Sequence, residues 1–275
     1  MSSTPADEVD YVSGRTRLFG IVGHPVQQVR SPEMFTAAFK ARGMDALLVP
    51  LHVVPPDFDV TLAGLLALRN LDGLIFTIPY KVRAAALAAT LGTQAQIVGA
   101  INALTREGER WKGDIFDGIG CVTGLHRAGV ALAGRRVMLL GAGGAGSAVG
   151  VAIAHERPAF MRLHDLDRAR ADALADKVRR VSPETTVEVA APRVDDVHVL
   201  LNVTPIGMLD DARLPLDVHA LPRELTVFDA IVMPEETPLL ALARACGCTV
   251  VRGRAMMRGQ IDRMVDYFTG VPSTA

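Results

Sequence analysis

Cysteine is scarce in this chain: three residues in 275, Cys121, Cys246 and Cys248. They are too few and too irregularly spaced for a disulfide framework. Cys246 and Cys248 form C-x-C with no histidine pair nearby, which matches no zinc spacing, so no metal site is expected. Long apolar runs are missing as well, and no uninterrupted stretch reaches the length that crosses a bilayer. The opening MSSTPADEVD has neither a basic nor an apolar segment and does not read as a signal peptide. An excess of one charge is also lacking, with 29 Lys and Arg against 30 Asp and Glu. That balance produces no field to hold nucleic acid or an anionic membrane surface. Neither an internal repeat nor a low-complexity tract is found. These absences leave a cytoplasmic protein of a reducing compartment, monomer or homodimer, whose partner is a small molecule.

What is present is apolar material, 49% of the residues, in a chain longer than one domain usually needs. Strand-like and helix-like segments alternate, which predicts α/β architecture with parallel sheets. LFGIVG (18–23) is a short apolar strand ending in glycine. Ser31-Pro32 then reads as an N-cap followed by proline at the first helical position, with Gly43 closing that helix. Strands follow at residues 46–53 and 72–77, and residues 101–113 read as a hairpin turning at Glu107-Gly108. Between about residues 114 and 134 the pattern restarts. RRVMLL, AFMRLHD, TVEVA, HVLLNV and LTVFDAIV supply further strands, and AMMRGQIDRMVDYFTG (255–270) a closing helix.

Two stretches carry chemistry. The run GLIFTIPYK (73–81) delivers a lysine to the end of an apolar strand, although a lysine taken alone is normally solvated. Gly141, Gly143 and Gly146 fit G-x-G-x-x-G between the strand VMLL and a helix, with Gly144 and Ala145 inside the loop. In that context the glycines let the backbone turn tightly and approach a pyrophosphate at the helix N-terminus. Asp165 lies 19 positions beyond Gly146, where an acidic residue binds the adenosine ribose. A carboxylate there repels a 2′-phosphate, so NAD is expected, with NADP possible through Arg168 and Arg170. Asp167 is the second candidate for the ribose.

Eight segments in order carry a family resemblance. LFGIVGHPVQQVRSPEMF, GLIFTIPYK, VGAINAL, GDIFDG, LLGAGGAG, NVTPIGM, MPEETPLL and MMRGQID resemble the successive motifs of the shikimate dehydrogenase family. The resemblance implies an N-terminal α/β substrate domain over residues 1–116 and a Rossmann-type dinucleotide domain over 117–251. A C-terminal helix within 252–275 should pack back on the first domain. It implies that Lys81 and Asp117 are the catalytic pair, the lysine taking a hydroxyl proton as hydride leaves and the carboxylate holding it. A lysine tuned by partial burial can do this near neutral pH. Ser31, which alone reads as a cap, becomes a substrate contact with Thr77, Asn102 and Gln260. Asn202, Thr204 and Gly253 complete the expected cofactor contacts.

Departures fall where that family grips its substrate. Val29, Ile75 and Ala103 stand for a serine, an asparagine and a threonine; Ile115 and Phe116 alter G-D-N-T-D-G; Val232 stands for a tyrosine. Val29, Ile75, Ala103, Phe116 and Val232 are therefore expected to line the cleft beside Lys81. Three functions follow. The first is an NAD-dependent dehydrogenase of shikimate or a related cyclic hydroxy acid. The second is a dehydrogenase of a less polar cyclic alcohol. The third is a silent ligand sensor, disfavoured because Lys81 and Asp117 are intact and no DNA-binding or activation segment accompanies them.

Overall fold

Strand β1 (Arg17–Gly23) is apolar over almost its whole length and lies between two parallel partners, β2 (Ala46–His52) and β3 (Leu71–Phe76). The structure, a computed structural model, describes residues 12–271, so the opening MSSTPADEVD lies outside the described residues. Helix α1 (Ser31–Ala41) and α2 (Phe58–Ala67) make the crossovers that parallel pairing requires. Gly43 follows α1 with φ +68, the left-handed conformation expected of a terminating glycine. Two short elements, β4 (Thr90–Leu91) and α3 (Thr93–Val98), precede the expected hairpin of β5 (Ala103–Glu107) and β6 (Arg110–Asp114). Gly108 turns it at φ +63. The first sheet has order β2-β1-β3-β5-β6-β4, and β5 runs antiparallel to both neighbours. It is therefore a mixed sheet. Its antiparallel part includes the expected hairpin, since the two-residue turn at Gly108 can only reverse the chain.

After α4 (Asp117–Arg127) the second half is uniformly parallel. Its strands are β7 (Arg136–Leu140), β8 (Phe160–His164), β9 (Thr186–Val189), β10 (Val199–Asn202), β11 (Thr226–Asp229) and β12 (Thr249–Val251), ordered β12-β11-β10-β7-β8-β9. Helices α5 (Gly144–His155), α6 (Arg168–Val181) and α7 (Pro238–Ala245) lie between them. This is the doubly wound order whose reversal point beside the first strand opens a nucleotide crevice. The last helix, α8 (Gly253–Thr269), leaves the second sheet and packs on α4 and α1. The α4–α8 contact is backbone against backbone: a Cβ on Gly120 would sit 2.6 Å from Met256 O. The closing helix therefore returns to the first half, as expected, and roofs the space between the sheets.

One buried ionic group stabilises the second half. Arg162 on β8 is fully buried and pairs with Asp196 at 2.5 and 2.9 Å and with Glu188 on β9 at 3.0 Å. Asp196 also meets Arg136 at 2.7 Å. The Arg162 guanidinium, and after it Arg136, hold the Asp196 carboxyl well below its usual range. Asp196→Ala is expected to cost about 3 kcal/mol, the low end for stranding a buried charge, because Glu188 still faces Arg162. Thermal unfolding should show this as a fall in Tm of roughly 6–12 °C. A depressed carboxyl stabilises the fold above its unfolded pKa near ~4 and loses that effect as pH falls toward the folded value. The gap between the two proteins should therefore close in acid; a gap independent of pH would remove Asp196 from the account.

Candidate active site

Lys81 reaches the cleft through a turn pinned on both sides. Past the end of β3, Thr77 N still donates to Val22 O at 3.0 Å. Tyr80 is buried, its ring stacked on Phe58 at 4.6 Å and its hydroxyl donating to Val53 O. The Lys81 carbonyl accepts from Ile101 N at 2.9 Å. The side chain enters the space between the sheets, where it is only 14% exposed and its Nζ donates to Asp117 Oδ2 at 2.5 Å. Asp117 is 4% exposed at the first turn of α4. Charges this dry require one another, since either alone would be stranded.

Asn102 sets the start of that helix. It is buried, its Oδ1 accepting from Phe116 N at 2.9 Å and its Nδ2 donating to Gln260 Oε1 at 3.1 Å. One amide thus fixes the residue ahead of Asp117 and ties α8 to the first sheet.

The glycine loop lies directly against this pair. A Cβ on Gly144 would sit 2.9 Å from the Lys81 Cβ, so only glycine lets the loop come so near. Gly141 has φ +94, and a Cβ on Gly146 would meet Gly141 O at 2.0 Å. The loop therefore folds on itself and opens α5, whose first amide N–H groups carry the partial positive charge that suits a phosphate. Asp165, just past β8, accepts from Ala142 N at 2.7 Å and from Asp167 N at 2.9 Å. Both of its oxygens keep lone pairs for further donors. Asp167 instead caps α6 through Ala169 N at 3.0 Å and pairs with Arg170 at 3.2 Å. Arg168 pairs with Asp172 at 3.1 Å. Between the two aspartates, Leu166 is 91% exposed, an apolar side chain at the lip of the loop.

A cavity of about 180 Å³ joins these parts. From the first half and α8 it is lined by Val29, Ser31, Ile75, Thr77 and Gln260 with Lys81, Asn102 and Asp117. From the second half come Ala145, Thr204 and Val232, and Gly253 opens α8 beside them. Ser31 makes no capping bond: α1 begins at Ser31 itself, with Arg30 as N-cap and Pro32 within the first turn. Its role as a helix cap is thereby corrected, which leaves its hydroxyl to the cleft.

Three expected positions lie elsewhere. Phe116 faces away from the cleft, its ring 5.2 Å from Tyr267 in a groove between the hairpin and α8, because the turn into α4 aims Asp117 inward. Ala103 is fully buried in the core beneath β5. Asn202 is also fully buried; its Oδ1 accepts from Thr204 N at 3.1 Å and Thr204 Oγ1 at 2.7 Å, and its Nδ2 donates to Asp229 Oδ2 at 3.2 Å. It shapes the loop that presents Thr204 and has no free face for a cofactor. Asp229 does the same for Val232: it accepts from Ile231 N at 3.0 Å and Thr237 Oγ1 at 2.7 Å, and burial raises its carboxyl above the usual range.

Sequence reasoning missed Gln28, Arg30, Met208, Met233, Met256 and Met257, all of which line the cavity. The signal was present, since each lies within a quoted segment or beside one. Methionines in a cleft give an apolar and adaptable wall. The arrangement offers proton transfer at Lys81 Nζ, beside a loop that can hold a dinucleotide, in a cavity apolar along its sides.

The sequence model of the shikimate dehydrogenase substrate binding domain matches residues 21–104. A shikimate dehydrogenase (NADP+) of Symbiobacterium thermophilum is 36% identical over 94% of this chain and 90% of its own. The Thermus thermophilus shikimate 5-dehydrogenase, solved with NADP(H) and shikimate, superposes with a TM-score of 0.81 at 27% identity, covering 94% of this chain and 95% of that one. The Corynebacterium glutamicum quinate dehydrogenase, solved with NAD, gives 0.79 at 29% identity, covering 93% and 94%.

Proposed function

This chain belongs to the shikimate dehydrogenase family, and we propose that it oxidises, reversibly, a ring hydroxyl of shikimate or a related cyclic hydroxy acid with NAD. The observation that carries this reading is the Lys81–Asp117 pair, 2.5 Å apart and almost dry, against the glycine loop. The residues present fit a dinucleotide: Gly141 and Gly146 let the loop fold tightly on itself, a Cβ at Gly143 would point into open space, and the start of α5 suits a pyrophosphate. When bound, the nicotinamide supplies the hydride acceptor. The chain supplies the rest. Lys81 Nζ, as the neutral amine, takes the hydroxyl proton and becomes the ammonium, Asp117 Oδ2 holds that nitrogen in place, and Asn102 holds the start of α4. The apolar walls exclude water from the reacting carbon.

The preference for NAD rests on Asp165 and on what surrounds it. A 2′-phosphate there would meet a carboxylate, an exposed leucine, and two arginines already paired to aspartates. Asp165→Ala is expected to narrow the ratio of kcat/KM between NAD and NADP. Stronger use of NADP by the unaltered protein would refute the assignment.

A less polar cyclic alcohol is the second reading, favoured by Val29 and Ile75, which line the cleft where hydroxyl and amide groups stand in the family. A panel of cyclic alcohols with and without a carboxylate, assayed with NAD and NADP, separates the two. Turnover restricted to the acids supports the first reading; turnover restricted to neutral alcohols supports the second. Among the described residues no helix is long and apolar enough to cross a membrane. The three thiols are free; a cytoplasmic site of action, as a monomer or homodimer, is part of the proposal.

A further inference from the structure

Two cationic side chains line the cleft, Lys81 and Arg30, and one acidic one, Asp117. Since Lys81 and Asp117 neutralise each other, the cleft keeps the charge of Arg30. That guanidinium has poor partners. It reaches across the cleft to Met233 Sδ at 3.3 Å, and thioether sulfur is a weak acceptor. Its other contact is Glu33 at 3.4 Å, one turn along α1, with both side chains about half exposed. An exposed pair of that length contributes little. Arg30 thus brings a guanidinium to the cavity whose acceptors among the described residues are a thioether and one carboxylate oxygen at 3.4 Å. Beside it stand the uncapped Ser31 and the positive end of α1.

We propose that Arg30 is a specificity-determining residue that holds a carboxylate of the substrate at the cleft mouth, replacing the hydrogen bond that Val29 cannot make. The inference rests on the dehydrogenase reading and narrows its substrate class to ring alcohols that carry an anionic group. It also reconciles the apolar walls with a charged ligand: the ring lies along Val29 and Ile75, and the charge is met at one end. The planar fork of arginine matches a carboxylate through two parallel hydrogen bonds, a geometry that lysine cannot reproduce. On binding, the guanidinium exchanges the Met233 sulfur for oxygen, so the substrate replaces a contact that already spans the two halves.

The test compares shikimate with its neutral methyl ester in the wild type, Arg30→Met and Arg30→Lys. Dissociation constants are measured by calorimetry on the NAD-loaded protein, and steady-state kinetics are run in parallel. Arg30→Met should weaken shikimate by about 10- to 100-fold in Kd and KM, with kcat within about threefold. The ester should change by less than about twofold, and Arg30→Lys should fall between wild type and Arg30→Met. A merely structural role would weaken acid and ester together, and that result overturns the inference. Equal binding of acid and ester by the wild type overturns it too. Should the wild type turn over neither ligand, shikimate is not the substrate, and the calorimetry still decides on Arg30. Weaker acid binding in Arg30→Met supports it, while absence of acid binding by the wild type refutes it.

Discussion

Lys81→Ala is expected to lower kcat by about 10²–10⁴-fold, the range that general acid–base groups supply, while dinucleotide affinity stays within about twofold. The reason is geometric. The Lys81 side chain lies against the nucleotide loop at Gly144, and the one observed partner of its Nζ is Asp117 Oδ2. Alanine keeps the Cβ against which Gly144 packs, so the loop does not lose its support. Asp117→Ala should bring a comparable loss by releasing the lysine. The double variant should lose little more than either single one, because groups that act as a unit are non-additive. Steady-state turnover with NADH-fluorescence titration checks both parts. Near-normal turnover of Lys81→Ala would move the chemistry to another group.

Gly146→Val should abolish dinucleotide binding, by more than about 100-fold, and leave the first half folded. A Cβ at Gly146 would stand 2.0 Å from Gly141 O, and that oxygen belongs to backbone at φ +94 that only glycine adopts readily. Neither side can yield without opening the loop. Gly143 gives the contrast: nothing lies within 4 Å of its would-be Cβ, so Gly143→Ala should leave the unliganded stability unchanged. If Gly143→Ala still weakens NADH, the cause is close approach of the ligand to the backbone. Wild-type NADH affinity in Gly146→Val would show that the loop does not hold the cofactor.

The second half was largely legible, because a parallel sheet buries its strands on both faces and so writes them as apolar runs bounded by glycine and aspartate. The glycine loop, Asp165 and the closing helix could be read for the same reason: each depends on local spacing. The first half was less legible. β4 has two residues and α3 six, too short for any periodicity to register. The antiparallel β5 was visible as half of a hairpin, yet its pairing with β3 was not, since pairing across the sheet leaves no mark on spacing. Within the cleft, Val29, Ile75 and Val232 were found, but Phe116 and Ala103 were misplaced. Motif order places a residue near the site; the turn ahead of Asp117 decides which way it faces. Asn202 shows the same limit, because a buried scaffold amide and a ligand contact look alike in sequence.

The account's central claim is that this cleft couples proton transfer at Lys81 to reduction of a bound dinucleotide. Single-turnover mixing of NAD-loaded protein with shikimate tests it most directly, with the wild type and Lys81→Met followed by NADH formation. The account predicts close to one NADH per site in the wild type, and formation slowed at least about 100-fold in Lys81→Met despite equal NAD binding. Equal rates in the two proteins would contradict it, as would a wild type that binds NAD and shikimate together yet forms no NADH.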